Sequence, residues 1–266
     1  MRKICQRHSR CNSNQIGLKG GSNLRYAVLS DAHGNLEALE AVLEEADAVG
    51  YDRLIFLGDF VGYGANPNEC VELIREKASV AVLGNHDSAV LHPEEADYFN
   101  EFARKAVLWT RERLTKENME YLASLPLTAR LEEDILVVHA SPYRPEKWDY
   151  ILSVYDAEFH FAHFSEKICL FGHSHIPGVY IKEPDGKITM VEDKPIELED
   201  IKRYLINPGS VGQPRDLDWR ASFGLLDTER KVFEFFRVEY DVDKAQLKIK
   251  EAGLPEVLAE RLAIGY

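Results

Sequence analysis

Five short apolar runs in this sequence are each followed at once by side chains that bind metal ions or transfer protons. These side chains are aspartate, asparagine and histidine, and none is a cysteine. Imidazole and carboxylate groups without a thiolate are typical ligands of Mn, Fe, Zn or a similar transition ion. The candidate metal ligands are Asp31, His33, Asp59, Asn85, His139, His173 and His175.

The number of these ligands indicates two metal ions. Seven ligands are more than one ion needs, and they suffice for two if one carboxylate bridges them. Two such ions about 3.5 to 4 Å apart favour displacement at phosphorus, because a bridging hydroxide attacks while both cations hold phosphoryl oxygens. The pattern therefore predicts a dinuclear centre that attracts and hydrolyses a phosphoester.

The spacing of the ligands adds a geometric expectation. Asp31 and His33 are separated by one residue, as are His173 and His175. In an extended segment two such residues project to the same side, so each pair is expected to converge on one region. A glycine, which permits a tight turn, precedes three of the ligand positions. These glycines are Gly58, Gly84 and Gly172.

Each signal taken alone has a structural alternative. A single Asp-x-His is weak, and a single buried histidine is more often a satisfied core group than a ligand. Five of the 9 histidines nevertheless follow predicted strands directly, which favours a joint site. Surface or core roles are expected for His92, His160 and His163. Cys5, His8 and Cys11 lie on a polar strip that makes a poor zinc site.

The elements that must position these ligands begin with a βαβαβ pattern. Buried strands are predicted at Tyr26–Leu29, Leu54–Leu57 and Val80–Leu83, with helices over about 35–49 and 67–77 between them. This order is typical of a mainly parallel sheet covered by helices. The strand ends of such a sheet form the crevice where ligands bind.

The rest of the chain adds helices and then paired strands. Residues 92–124 read as helical, and Phe99, Phe102, Ala106 and Trp109 form a stripe that is expected in the core. Further strands are predicted at 135–138, 168–171, 204–206, 223–227 and 232–238, and a hairpin joins 178–181 to 187–191 around a Pro-Asp-Gly turn. Two final helices are predicted, one over about 242–251 and one that begins at 255.

Charge and composition restrict the partners and the compartment. The chain has 266 residues and a net charge of −13, and its first 30 residues carry six basic groups and no acid. We expect a flexible basic tail over residues 1–23 and a single domain over 24–266. The acidic body argues against nucleic acid as a partner. With no signal peptide, no membrane span and only 4 cysteines, a cytoplasmic location is expected. The oligomeric state stays open.

Taken together, the five motifs resemble those of the calcineurin-like metallophosphoesterase superfamily, especially its small bacterial and archaeal phosphodiesterase-like members. The resemblance implies an α/β (α+β) fold: a four-layer αββα sandwich of two mixed β-sheets flanked by helices. It implies one metal on Asp31, His33, Asp59 and His175, and a second on Asp59, Asn85, His139 and His173. Asp59 would bridge the two. The motifs are Asp31-Ala32-His33, Gly58-Asp59, Gly84-Asn85-His86-Asp87, His139 and Gly172-His173-Ser174-His175.

The same resemblance assigns roles in catalysis and substrate binding. His86 is implied to be no ligand but to face the substrate, stabilise the phosphoryl transition state and protonate the leaving oxygen. Asn85 would also contact substrate. The Asn207–Arg215 stretch looks like a late family segment beside the metals, which makes Arg215 a candidate phosphate clamp. The alternative is a glycine-rich turn with a surface arginine.

The predicted reaction is hydrolysis of a small phosphoester, more a nucleotide-type diester or anhydride than a protein. The Asp-Arg-Gly that protein phosphatases and symmetrical diadenosine tetraphosphate hydrolases place after the second motif is absent here. The alternatives are a phosphomonoesterase and a non-catalytic protein-binding scaffold, although relatives of the scaffold type lack the histidine that is His86 here. Tyr143, Trp148 and Tyr150 either stack a nucleobase or pack beneath their loop.

Overall fold

The computed structural model of the protein describes residues 24–131, 134–192 and 194–266. The expected tail over 1–23, with Cys5, His8 and Cys11, lies outside the described residues. Within residues 24–131, 134–192 and 194–266, no helix combines the length and the apolar character that crossing a bilayer requires.

Two six-stranded sheets form the framework. The strands are β1 (Arg25–Leu29), β2 (Arg53–Phe56), β3 (Ala78–Ala81), β4 (Thr128–Leu131), β5 (Ile135–Val138), β6 (Ile168–Leu170), β7 (Gly178–Lys182), β8 (Ile188–Val191), β9 (Ile196–Glu197), β10 (Arg203–Asn207), β11 (Ala221–Asp227) and β12 (Val232–Val238). The first sheet has the order β3-β2-β1-β11-β12-β9, and the second has the order β4-β5-β6-β10-β7-β8.

Helices cover the outer faces of both sheets. They are α1 (Leu36–Val49), α2 (Pro67–Lys77), α3 (Asn85–Leu91), α4 (Glu101–Arg111), α5 (Lys116–Ser124), α6 (Val154–Phe161), α7 (Val242–Glu251) and α8 (Glu256–Glu260). Short 3-10 turns occupy Pro93–Tyr98, Pro145–Lys147 and Arg261–Ile264.

Alternate residues of the strands explain the layers. In β5, Ile135 and Val137 belong to the apolar cluster between the sheets, whereas Leu136 and Val138 pack with Phe161 of α6 on the outer face. Both faces of such a strand are buried, and this accounts for its uninterrupted apolar sequence. The result is the implied arrangement of two mixed sheets flanked by helices.

The sheets are mixed because later strands join the early parallel ones. β1, β2 and β3 run parallel, as the βαβαβ pattern predicts, and so do β5, β6 and β10. β11 then pairs antiparallel with β1, and β12 with β11. The prediction of a mainly parallel sheet is therefore wrong for the two sheets as a whole. Sequence periodicity indicates that a segment is a strand, but it does not identify the strand that pairs with it.

Several local predictions hold and others need correction. The hairpin of β7 and β8 is confirmed, as are the helices at 67–77 and 242–251. β3 begins two residues before its predicted start, and β4 and β9 were not predicted. The expected core stripe is wrong in part: Ala106 is buried, but Phe102 is 42% exposed. The extent of the single domain stays a prediction.

Candidate metal centre

The candidate ligands follow strands at one edge of both sheets. Asp31 and His33 follow β1, Asp59 follows β2, and Asn85 is the first residue of α3, after β3. The second sheet supplies His139 after β5, and His173 and His175 after β6. The centre therefore forms where the carboxyl ends of parallel strands from two sheets meet.

Four of these side chains form the first buried group: Asp31, His33, Asp59 and His175. One ligand atom from each lies within 4.8 Å of every other. His175 Nε2 is 3.3 Å from Asp31 Oδ1, and His33 Nε2 is 3.4 Å from Asp59 Oδ2. Two carboxylates and two imidazoles are a donor set that a divalent transition ion accepts.

A second group shares Asp59 with the first. It contains Asp59, His139 and His173, again with ligand atoms within 4.8 Å of one another. Asp59 Oδ2 is 3.4 Å from His139 Nε2, and Asn85 Oδ1 is 3.0 Å from the same nitrogen. Asp59 is thus the carboxylate common to both groups, at the position where a bridging ligand would stand.

The hydrogen bonds of the histidines fix which ring nitrogen faces the centre. His33 Nδ1 lies 3.1 Å from the Val61 carbonyl oxygen, and His175 Nδ1 lies 2.6 Å from the Gln213 carbonyl oxygen. A carbonyl can only accept, so each Nδ1 carries the proton and each Nε2 presents a lone pair. The two Nε2 atoms are 3.1 Å apart. Two lone pairs this close repel each other, and a cation bound by both nitrogen atoms would remove this repulsion.

Unpartnered atoms also point to a metal. Asp31 Oδ1 and His173 Nε2 are buried without a hydrogen-bond partner. Such groups are costly to bury unless something satisfies them. The residues present therefore fit a metal centre by their types, their tautomers and their unused ligand atoms.

The backbone at the ligands departs from the extended geometry that the spacing predicted. φ is +56° at Asp31, +48° at His33, +64° at His173 and +60° at His175, and it is +57° at Asp59. These residues occupy the left-handed region, which costs a non-glycine residue energy and persists only where its surroundings enforce it. Asp31 and His33 converge through turns, and so do His173 and His175.

Two glycines leave room for the ligands. A Cβ on Gly84 would lie 2.1 Å from Asp59 Oδ1. At Gly62, φ is +145°, and a Cβ there would lie 2.6 Å from the rings of both His33 and His86. Both positions therefore require glycine for close approach.

The ionisation of the cluster follows from burial and mutual charge. Burial alone would raise the pKa of Asp31 and of Asp59, but the surrounding histidines hold both values below the usual range. Burial would lower the pKa of His139, but Asp59 raises it to about 9. Burial lowers the pKa of His173 to about 3. The carboxylates are therefore charged at neutral pH, as metal ligands must be.

His86 lies beside the two ligand groups and belongs to neither. Its main-chain N–H donates to Asp59 Oδ1 at 2.9 Å, while its buried Nδ1 has no partner. Burial lowers the pKa of His86 to about 4, so the ring is neutral at pH 7. A neutral imidazole can still donate one hydrogen bond to a substrate oxygen.

An open cleft of about 300 Å³ adjoins the centre. Asn85, His86 and His173 line it together with several aromatic rings, and Tyr150 stacks on His173 with ring centroids 4.0 Å apart. The aromatic residues that line it are Tyr63, Tyr98, Phe99, Trp148 and Tyr150. Of the three aromatic residues singled out from the sequence, Tyr143 is the exception, because it packs against Phe159 and His163 instead.

Arg215 lies beside the first ligand group. Its main-chain N–H donates to the His175 carbonyl at 3.2 Å, and its Nη2 donates to the Tyr63 hydroxyl at 3.2 Å. Three further histidines of the described residues belong to neither ligand group: His160 is buried within α6, and His92 and His163 are exposed.

Two residues near the centre had no role in the sequence interpretation. Asp87 is buried, and its Oδ2 accepts the main-chain N–H groups of Asp59 and Gly84. The sequence feature that could have identified Asp87 is its position directly after His86. Arg261 contacts Tyr63 from the carboxyl-terminal part of the chain, and no local pattern marks it.

Comparisons with known proteins agree with this architecture. Residues 24–231 match the family model of the calcineurin-like phosphoesterase superfamily domain. The crystal structure of a metallophosphoesterase from Sphaerobacter thermophilus superimposes with a TM-score of 0.82 at 41% identity, covering 92% of this chain and 100% of the other. The protein MJ0912 of Methanocaldococcus jannaschii is 46% identical over 245 residues, which span 90% of this chain and 97% of that protein. Phosphodiesterase YfcE of Escherichia coli is 26% identical over 212 residues, 77% of this chain and 89% of its own.

Proposed function

Because the chain belongs to the calcineurin-like phosphoesterase superfamily, we propose that it hydrolyses a small nucleotide-type phosphodiester or anhydride at a dinuclear metal centre. The observation that carries the proposal is the position of Asp59, whose carboxylate belongs to both buried ligand groups.

The two metals would be held by the two ligand groups. Asp31, His33, Asp59 and His175 would bind the first, and the second would take His139, His173 and Asn85 in addition to Asp59. Mn, Fe, Zn or a similar divalent ion suits these donors. When bound, such ions would polarise phosphoryl oxygens and lower the pKa of a bound water toward about 7.

The protein's own residues would orient and stabilise the reacting phosphate. His86 lies in the cleft beside Asn85, and its ring can donate to a phosphoryl or leaving oxygen. Arg215 presents a guanidinium next to the first ligand group, where it would clamp a phosphate oxygen. Asp87 would act as a positioning residue, because it fixes the main chain of Asp59.

The cleft supports a substrate with an aromatic group next to its phosphate. Trp148 and Phe99 offer ring surfaces, and Lys147 supplies a positive charge on the same cleft. Base stacking on aromatic side chains contributes about 1 to 3 kcal/mol per base. The phosphodiesterase name of the Escherichia coli relative points in the same direction.

The direct test is hydrolysis by the purified chain after loading with Mn²⁺. Bis(p-nitrophenyl) phosphate should be turned over, and the loaded protein should bind about two ions per chain. The Asp59→Asn variant should lose both properties. The Asp47→Asn variant should retain them, because Asp47 is a partly exposed aspartate on α1 that pairs with Lys77. No hydrolysis of diesters or monoesters by the wild type, or equal rates for Asp59→Asn, would contradict the proposal.

The same experiment separates the two alternatives. Faster turnover of p-nitrophenyl phosphate than of the diester would indicate a phosphomonoesterase. Absence of stoichiometric metal would favour the protein-binding scaffold, which needs no pair of ions. The presence of His86 favours catalysis over that scaffold.

A further inference from the structure

Two arginines from distant parts of the chain lie together beside the candidate metal centre. The guanidinium carbon of Arg215 is 5.8 Å from the centroid of the Tyr63 ring, and that of Arg261 is 5.1 Å from it. Both guanidinium groups also donate from Nη2 to Gln213 Oε1, with a distance of 3.2 Å for Arg215. One glutamine and one tyrosine thus hold two positive charges side by side.

No acidic side chain among the described residues pairs with either arginine, and Arg261 Nε donates instead to the main-chain oxygen of Tyr266 at 2.8 Å. Among the described residues, no aspartate or glutamate comes within 4.0 Å of either guanidinium group, although the chain has 45 acids and 32 basic residues. Arg215 Nε is buried without a hydrogen-bond partner, and so is Gln213 Nε2. Two like charges repel, and unused buried donors are costly. An anion with several acceptor oxygens would offset both costs.

The arginine pair is one side chain away from the metal ligands. The Tyr63 ring lies 4.5 Å from the ring of His33 and 4.6 Å from that of His86. Gln213, which holds both arginines through its side chain, accepts the Nδ1 proton of His175 through its main-chain oxygen. The main chain of Arg215 is bonded to the His175 carbonyl, whereas Arg261 contacts Tyr63 and Gln213. Arg261 therefore stands farther from the centre than Arg215.

Arg261 is held in place by packing of the chain around it. It begins the 3-10 turn after α8, and Leu258 and Leu262 on either side of it are buried in the core. The Gly265 carbonyl accepts the main-chain N–H of Leu217 at 2.9 Å. Because the main chain that carries Arg261 is fixed in this way, less entropy is lost when the arginine binds an anion.

We infer that Arg261, with Arg215, forms a subsite for a second phosphate next to the one hydrolysed at the centre, so that the substrate is a phosphoanhydride. This inference rests on the proposed function. The oxygen of water bonds to the phosphorus at the centre, and the bond from that phosphorus to the bridging oxygen breaks. The second phosphate leaves with that oxygen and its electron pair, and the water protons pass to solvent and products. The arginine pair holds the charge that develops on the leaving phosphate.

The test compares two ligands that differ by one phosphate. The affinities of ADP and AMP for the metal-loaded chain are measured by titration calorimetry, so that the nucleoside part cancels. We expect ADP to bind more tightly than AMP, and Arg261→Gln to reduce the ratio of the two affinities about tenfold or more, as loss of a charged hydrogen bond does. Arg261→Lys should reduce it less, because the charge remains.

A matched control separates the subsite from general electrostatics. Arg230→Gln removes one positive charge at an exposed position, where Arg230 pairs with Glu234 at 3.8 Å. An unchanged ratio in Arg261→Gln, or an equal fall in Arg230→Gln, would overturn the inference. Melting temperatures close to the wild-type value in both Arg261 variants would exclude unfolding as the cause. A wild type that hydrolyses no phosphoester would contradict the proposed function, but the affinity ratio would still report on the arginine pair.

Discussion

Asp87 Oδ2 accepts the main-chain N–H of Asp59 at 2.9 Å, so a carboxylate outside both ligand groups fixes the residue that the groups share. The same oxygen accepts from Gly84 at 3.0 Å, and Oδ1 accepts from Val61 at 3.3 Å. Asp87 thereby ties the loop after β2 to the start of α3. The left-handed backbone of Asp59 is held by contacts of this kind.

Replacement of Asp87 by asparagine should weaken metal binding. The amide would keep one acceptor but turn its NH₂ toward a main-chain donor, so Asp59 would lose part of its support. We expect affinity for Mn²⁺ to fall about 10- to 100-fold, as is usual when a group that orients a ligand is changed. Calorimetric titration measures this, with Asp47→Asn as the control. Unaltered Mn²⁺ affinity would show that Asp59 needs no such support.

Replacement of His86 should slow turnover without emptying the metal centre. His86→Gln removes the ring that lines the cleft but keeps the main-chain N–H that bonds to Asp59. We expect kcat to fall by a factor on the order of 10² to 10⁴. The metal content of the variant is measured alongside its rate, and the exposed His92→Gln serves as the control. Loss of metal in His86→Gln would argue that His86 is a ligand after all.

Metal affinity should rise with pH because His139 must lose a proton to bind. Without metal, Asp59 raises the pKa of His139 to about 9, above the usual 6.5. The affinity for Mn²⁺ should therefore increase from about pH 6.5 to pH 9, by up to about tenfold per pH unit. In the metal-free protein, the stability that this ion pair contributes is fully present below pH 6.5 and is lost as pH rises toward 9. Titrations across this range check both trends, and a flat affinity profile would speak against a charged His139.

Removal of Trp148 should weaken binding of nucleotide-type substrates. Trp148→Ala takes away one ring of the cleft, and the loss of stacking should raise KM for p-nitrophenyl thymidine 5′-phosphate at least about fivefold. The change in kcat should be smaller, because Trp148 is in neither ligand group. Tyr155→Ala removes a ring that is 83% exposed on α6 and provides the control. Equal KM values for wild type and Trp148→Ala would remove the support for a base-binding cleft.

The sequence determines where the strands end and which side chains follow them. A strand with both faces buried appears in the sequence as a continuous apolar stretch, and the residues that follow the stretch can be identified directly. Asp31, Asp59 and His139 could each be placed at the carboxyl end of a strand for this reason. The physical basis is local, because strand periodicity and the turn after it depend on neighbouring residues.

The tertiary structure alone decides which of these groups meet and how their charges act. His33 and His175 are 142 positions apart, and the 3.1 Å between their Nε2 atoms depends on the packing of two sheets. Arg215 and Tyr63 are separated by 152 positions, and Arg261 reaches the same ring from the end of the described chain. No local pattern encodes such contacts, since they arise only when the core brings distant loops to one edge. The raised pKa of His139 has the same origin, because the Asp59 carboxylate lies next to this ring only in the folded chain.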